Sequence, residues 1–315
     1  MTWLVTGSSG YFGRHLVQQL SERENLVIGA DRVDGHGQKS KNYSFVKIDI
    51  RDTNAFELLF SQHHIEGIFH LAALKSVSDS FSNAEEYLEC NYFASRDLIK
   101  LAVKSGIEKF IFTSSAAVYG DGSELLIPEI LPPNPTSPYG ESKLLTEKFL
   151  NTEIGKGNIR GTSLRCFNVI GTKDPALSDV LGTNLVPLTL AAIKKRLSPV
   201  IFGGDYDTPD GTCIRDYIDV RDVIDAHVLA METTNEKEIE SVINIGSGMG
   251  HSVLELVSEL IELSNVDVSP LISEKRLGDP VKIVADVTLA ERELGFKSKI
   301  PFRDSILSAV KAYEL

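Results

Sequence analysis

Residues Ser137 to Lys143 read SPYGESK and set a phenol and an ammonium four positions apart. Pro138 pre-sets the first turn of a helix, so Tyr139 and Lys143, at i and i+4, share one face of it. A lysine charge at that separation favours the phenolate, and a second cation alongside would favour it further. Bringing a phenol from its ordinary value near ~10 to neutrality takes about 4 kcal/mol, within the reach of two cations in a buried site. Tyr139 would then serve as a general base. The same two residues also fit the surface of an ordinary helix, so the elements around them must decide.

Those elements begin at the N-terminus. TWLVT is a short apolar strand that runs into GSSGYFG, and RHLVQQLSE continues with helical periodicity. In such a strand, glycine turn and helix, Gly7 makes the turn, Gly10 admits a pyrophosphate and Gly13 permits close helix-to-sheet packing. Tyr11 and Phe12 lie between these glycines. The next strand, LVIGAD, ends in Asp31, 18 residues beyond Gly13, where a carboxylate accepts hydrogen bonds from an adenosine ribose. Arg32 follows and could pair with a 2′-phosphate, but Asp31 would repel that phosphate, so NAD is expected rather than NADP. A nicotinamide ring would be the second cation beside Tyr139.

Next come FVKIDIRD, a strand ending near Asp49 and Ile50, a helix over Asn54 to Gln62, and the apolar strand GIFHLAAL. Asp49 suits either an adenine amino group or a plain strand-end turn. His70 reads as packed, and His63 and His64 match no metal spacing, so no metal is expected. After a long helix, roughly Ala84 to Lys104, KFIFTSS delivers Ser114 and Ser115 at the carboxyl end of a fifth strand, where open α/β sheets bind ligands. A proline-rich loop then launches the Tyr139 helix. Ser115 and Tyr139 can therefore meet over a nicotinamide and share a proton relay with a substrate hydroxyl.

Alternating strands and helices imply right-handed crossovers and a parallel sheet covered on both faces. The fold expected is a Rossmann-type doubly wound α/β sheet over residues 1–167, with 216–245 returning to it. A smaller lobe would come from 168–215 and 246–315. With 315 residues the chain can bury a sizeable core. A net charge of −12 argues against nucleic-acid and membrane surfaces and favours small-molecule chemistry. Cys90, Cys166 and Cys213 are far apart with no CxxC pair, as expected of a reducing cytoplasm. The chain runs straight into structure from MTWLVTG, with no targeting signal or membrane span expected.

TGSSGYFG, the strand-end serine and YGESK occur in the order of the extended short-chain dehydrogenase/reductase superfamily. Together with HLAALKSVSDS, LRCFNVIG, IFGGDYDTPDGTCIRDYIDVRD, NIGSG and RLGDP, they make the chain resemble the UDP-glucose 4-epimerase family over nearly its whole length. The resemblance implies that Ser115, Tyr139 and Lys143 are catalytic. It implies NAD contacts from Gly7, Gly10, Gly13, Asp31, Asp49, Ile50, Leu71, Ala72, Ala73, Lys75, Asn91 and Phe167, and Ser114 is added to these as a strand-end neighbour. Asn168, Asn184, Leu185, Phe202, Arg215, Arg276 and Asp279 match the nucleotide-sugar site. Arg215 and Arg276 are planar donors suited to a diphosphate, Asp279 could accept from a ribose hydroxyl and Phe202 could pack on uracil.

The implied activity is interconversion of UDP-glucose and UDP-galactose through a 4-keto sugar, with Tyr139 as base. Two residues depart from the family pattern. Cys166 stands where those enzymes carry a tyrosine beside the nicotinamide, and Ile283 stands at the expected wall of the sugar C2 substituent. Another UDP-sugar (an N-acetylhexosamine, a pentose or a uronate) is therefore an alternative. A nucleotide-sugar dehydratase or decarboxylase is a further one, although Ala116 and Ala117 replace the acidic groups that elimination needs. A non-catalytic NAD sensor should lack Tyr139 or Lys143. A homodimer is expected through the helices around Ala84 to Lys104 and Pro138 to Glu153.

Overall fold

The computed structural model describes residues 1–33, 40–121, 126–179, 182, 184–276 and 279–315. Six strands of the first half are β1 (Thr2–Thr6), β2 (Leu26–Asp31), β3 (Tyr43–Lys47), β4 (Gly67–His70), β5 (Lys109–Ser115) and β6 (Arg160–Cys166). Strand Val242–Ile245 returns to pair with β6, and among the described residues these seven form one sheet. Spatially β3 is at one edge, followed by β2, β1, β4, β5, β6 and the returning strand, all parallel. The order reverses between β1 and β4. That is where such sheets open a crevice at the strand carboxyl ends.

Continuous apolar runs form these strands because both sheet faces are covered. Four successive residues of β1 and all four of β4 are buried. On one face Leu16, Val17 and Leu20 of α1 (Tyr11–Glu22) pack with Val223 and Ile224 of helix Val220–Glu236. On the other, Phe56 and Leu59 of α2 (Thr53–Gln62) pack with Leu98, Ile99 and Leu150. Burying each of these side chains is worth about 1.5–3 kcal/mol.

Outside this sheet, strand Ile214–Asp219 lies between Gly250–Ser252 and Lys282–Ile283, and Asn168–Ile170 also pairs with it. Strand Val200–Phe202 pairs with Leu271–Ser273. Tyr217 of strand Ile214–Asp219 packs in a separate core with Leu190 and Ile193 of helix Leu185–Lys194, Leu256 and Leu260 of Val253–Ser264 and Ile306 of Phe302–Ala312.

Three elements differ from the sequence reading. β3 ends at Lys47, before Asp49, because Arg51 folds back on the Asp49 carboxylate in a turn. β4 ends at His70, and Leu71 to Lys75 form a loop whose Leu74 is gripped on both backbone groups by the Asn91 side chain. The long helix is α-helical over Ala84–Tyr87 and Ala94–Lys104 but π-helical over Leu88–Phe93. The Asn91 carbonyl within that wide turn accepts from Ser95 Oγ at 2.6 Å and Thr146 Oγ1 at 2.9 Å. Such π turns commonly sit beside functional sites.

Candidate active site

A cavity of about 560 Å³ opens at the carboxyl ends of β1, β2, β4 and β5. Its floor is the glycine turn: Gly7, Gly10, Tyr11, Phe12 and Gly13 line it. Gly7 has φ +70°, and a Cβ there would lie 2.7 Å from Ala72 N. A Cβ on Gly13 would lie 2.1 Å from the Gly7 carbonyl, so helix and turn touch backbone to backbone. Gly10 caps α1 without a side chain on its first-turn N–H groups, so the positive helix end faces an incoming anion.

Asp31 stands at the end of β2, its Oδ2 accepting from Ser9 N at 3.0 Å and its Oδ1 from Val33 N at 3.1 Å. Arg32, Asp49 and Ile50 line the same end. Arg51, unremarked in the sequence, takes both oxygens of Asp49 at 2.8 and 2.7 Å and holds its carboxyl down at about 2. Leu71, Ala72, Ala73 and Lys75 follow along the wall.

Ser114, Ser115, Tyr139 and Lys143 meet at the far end with Cys166, Phe167 and Asn168. The local sequence explains the geometry. Ser137 caps helix Pro138–Gly155 by accepting from Gly140 N at 3.1 Å, and Pro138 occupies the first turn. Lys143 is buried, donates to Thr113 O at 2.9 Å, and lies 5.9 Å from the Tyr139 ring centroid. Burial lowers its ammonium to about 8. Burial pushes the Tyr139 phenol up to about 12, partly offset by a hydrogen bond with Ser115. The lowered phenol expected from Tyr-x-x-x-Lys alone is therefore not present in the protein by itself. Lys143 gives its proton to a carbonyl rather than to the phenol, and burial outweighs its distant charge.

Behind the site, side chains lock these residues in place. Ser114 donates to Glu147, whose carboxylate is also paired with Arg165 at 2.7 Å, and both members of that ion pair are buried. Thr113 gives its hydroxyl proton to His227 Nε2 at 2.8 Å. Thr6 gives its own to His70 Nδ1 at 2.8 Å, and His70 Nε2 bonds Ser95 Oγ at 2.7 Å. His70 is thus packed, as read from sequence, and buried neutral.

Asn184 and Leu185 line the cavity at its open side. Phe202, Arg215, Arg276 and Asp279 stand outside its lining yet form one cluster. The Arg276 guanidinium lies 4.8 Å over the Phe202 ring and donates to Asp279 at 2.8 Å, with Arg215 4.0 Å from the same carboxylate. Arg276 therefore covers one face of the Phe202 ring, which is still 40% exposed.

Asn91 and Ile283 are two further expected site residues that do not line this cavity. Asn91 is buried and bonded to Leu74 and Ser142, so it shapes the 71–75 loop from behind. Ile283 pairs with Arg215 in a parallel register that turns its side chain inward. It packs with Ala116, Tyr119, Leu144, Phe167 and Ala285, and no part of the cavity wall is Ile283. Arg14 and Asp179, which do line the cavity, went unnoticed because neither belongs to a motif or an apolar period.

Among the described residues, no group of three or more His, Cys, Asp and Glu side chains could hold a metal ion, and no helix is long and apolar enough to cross a membrane.

The model of the NAD dependent epimerase/dehydratase family matches residues 3–246. A UDP-glucose 4-epimerase of Halalkalibacterium halodurans is 34% identical over 98% of this chain and 93% of its own length. One from Yersinia pestis is 36% identical over 93% of this chain and 92% of its own. Among solved structures, the UDP-glucose 4-epimerase of Stenotrophomonas maltophila, with bound NAD and a formylated UDP-arabinopyranose, superposes with a TM-score of 0.92. It shares 32% identity and covers 100% of this chain and 98% of that one. The enzyme of Thermotoga maritima with UDP-glucose gives 0.89 at 33% identity, covering 100% and 99%. With the glycine turn, Asp31 and the Ser115, Tyr139 and Lys143 group in one cavity, the chain belongs to the NAD dependent epimerase/dehydratase family, among the UDP-glucose 4-epimerases.

Proposed function

We propose that this protein interconverts UDP-glucose and UDP-galactose by reversible oxidation at C4, with NAD retained through the cycle. The observation that carries this reading is the convergence of Ser115, Tyr139 and Lys143 with the glycine turn in one cavity. The residues fit NAD. The Gly7 and Gly13 approach leaves backbone room at the helix end, and Asp31 offers a carboxylate at the strand end where a ribose diol would sit and a 2′-phosphate would be repelled. Gly7, Gly10 and Gly13 would hold the pyrophosphate, Asp31 the adenosine ribose, and Lys75 and Lys143 the nicotinamide half. Bound NAD would supply hydride acceptor and donor chemistry at the sugar C4 and, in its oxidised form, a positive charge.

The protein's own share is proton handling. Tyr139 takes the proton of the sugar 4-hydroxyl and gives it back after the keto sugar has turned over. Ser115, hydrogen-bonded to the phenol, orients that hydroxyl. Lys143 is charged at pH 7 and, with the cofactor's charge, lowers a phenol that burial alone holds high. Ala116 and Ala117 follow Ser115 without a proton-transferring group, which disfavours elimination of water. Cys166 lines the cavity where the family resemblance implies a tyrosine, and the room so made favours a second reading in which N-acetylated UDP-sugars are also accepted.

A homodimer and a cytoplasmic setting belong to the same proposal. Phe81 and Phe93, on the helical segments near the expected interface, are 58% and 38% exposed, and Cys90, Cys166 and Cys213 are unpaired thiols.

Purified protein given UDP-galactose or UDP-glucose, with products separated, should reach the same mixture from either side without added cofactor. Tyr139→Phe should lower turnover by about 10²- to 10⁴-fold. A wild-type protein that interconverts neither sugar, or a Tyr139→Phe variant with near-normal turnover, would refute the reading.

A further inference from the structure

Asp179 lies on the wall of the cavity with its carboxylate side chain 9% exposed. Donors from both halves of the site meet on it. Lys75, at the end of the loop after β4, gives its ammonium to both carboxylate oxygens at 3.0 Å each. Asn184, which caps helix Leu185–Lys194, donates Nδ2 to Oδ2 at 2.9 Å. Lys75 belongs to the cofactor loop, and Asn184 to the segment assigned to the nucleotide-sugar.

The backbone that carries Asp179 is itself fastened to the cofactor helix. Arg14 of α1 is buried and donates to Ala176 O and Ser178 O at 2.7 Å and to Leu177 O at 3.3 Å. Tyr11 donates its hydroxyl to Gly171 O, and Lys173 N donates to His15 Nε2 at 3.2 Å. Residues 171–178 are thus tied to α1, which follows the glycine turn directly. A carboxylate so placed neutralises Lys75 locally and fixes both its long side chain and the Asn184 amide.

We propose that Asp179 is a positioning residue that couples the two halves of the site, holding Lys75 and Asn184 in register so that the nucleotide of the UDP-sugar is bound against the cofactor side. This rests on the assignment of the cavity to NAD and a UDP-sugar. It requires that Lys75 influence nucleotide binding through Asp179, although Lys75 reaches from the cofactor side.

Binding of UDP, measured by titration calorimetry on the NAD-containing protein, tests this. Asp179→Ala should weaken UDP binding about 10-fold and raise KM for UDP-galactose by a similar factor, with kcat changed less than about 3-fold. Lys75→Met should weaken UDP binding about 3-fold alone and add nothing in the Asp179→Ala background, since residues acting through one group are not additive. Should Asp179→Ala fail to fold, Asp179→Asn keeps the volume and one accepting oxygen and should weaken UDP binding about 3-fold. UDP affinity within about 2-fold of wild type in folded Asp179 variants, or fully additive losses in the double variant, would overturn the inference alone. Failure of wild type to bind UDP at all would overturn the nucleotide-sugar reading beneath it.

Discussion

Acid should loosen this site from behind, and His227 shows by how much. Its ring is fully buried, donates from Nδ1 to Val223 O at 2.8 Å and accepts the Thr113 hydroxyl on Nε2. The carbonyl of Thr113 takes the Lys143 ammonium, so the histidine braces Lys143 through one residue. Burial lowers the imidazole from 6.5 to about 4. The folded protein therefore binds fewer protons than the unfolded chain between those values. Stability is full above about pH 6.5, falls as pH drops toward 4, and is lost in full below that. At pH 5 the unfolded histidine lies 1.5 below its value of 6.5, and 1.36 kcal/mol per unit makes about 2 kcal/mol. Buried carboxyls of raised pKa, Asp216 and Asp222 among them, act in the opposite direction, so a single pH curve is not diagnostic. The comparison with His227→Gln is, because glutamine can make similar hydrogen bonds without titrating. Urea unfolding at pH 7 and pH 5 should show wild type losing about 2 kcal/mol more than His227→Gln over that interval. Equal losses, within about 0.5 kcal/mol, would refute the assignment of a buried neutral imidazole.

Gly13→Ala should abolish cofactor retention, because its Cβ would stand 2.1 Å from the Gly7 carbonyl and neither backbone can yield. NAD recovered after denaturation should fall to less than about a tenth, with a stability loss of about 1–3 kcal/mol from overpacking. Ile283→Ser should cost about 2–4 kcal/mol in thermal unfolding, as a side chain buried among Ala116, Tyr119 and Phe167 is cut away. It should leave the ratio of rates on acetylated and plain UDP-hexoses within about 2-fold, and a much larger change would restore Ile283 to the sugar wall.

Local sequence was sufficient where chemistry is local. The turn from β1 into α1 needs glycine at 7 and 13 whatever else the chain does, and Ser137 and Pro138 start the Tyr139 helix by capping and by a fixed φ. The order of apolar strands and periodic helices determined a parallel sheet, because crossover connections have one hand. That order puts Ser115, Tyr139 and Asp31 at the carboxyl edge of one sheet.

Only the tertiary structure decided what depends on contacts distant in sequence. The phenol of Tyr139 and the ammonium of Lys143 are shifted by burial, a property of the whole surrounding fold that spacing does not carry. Ile283 sits in a strand of two residues whose facing follows from its pairing with Arg215, beyond the reach of any periodicity. Asn91 acts through a π turn that no helical pattern announces. Asp179 meets Lys75 across 104 positions and Arg14 holds Ser178 across 164. Pairings that remote are set by how residues 171–179 pack on the first helix, and a linear chain carries no local trace of them.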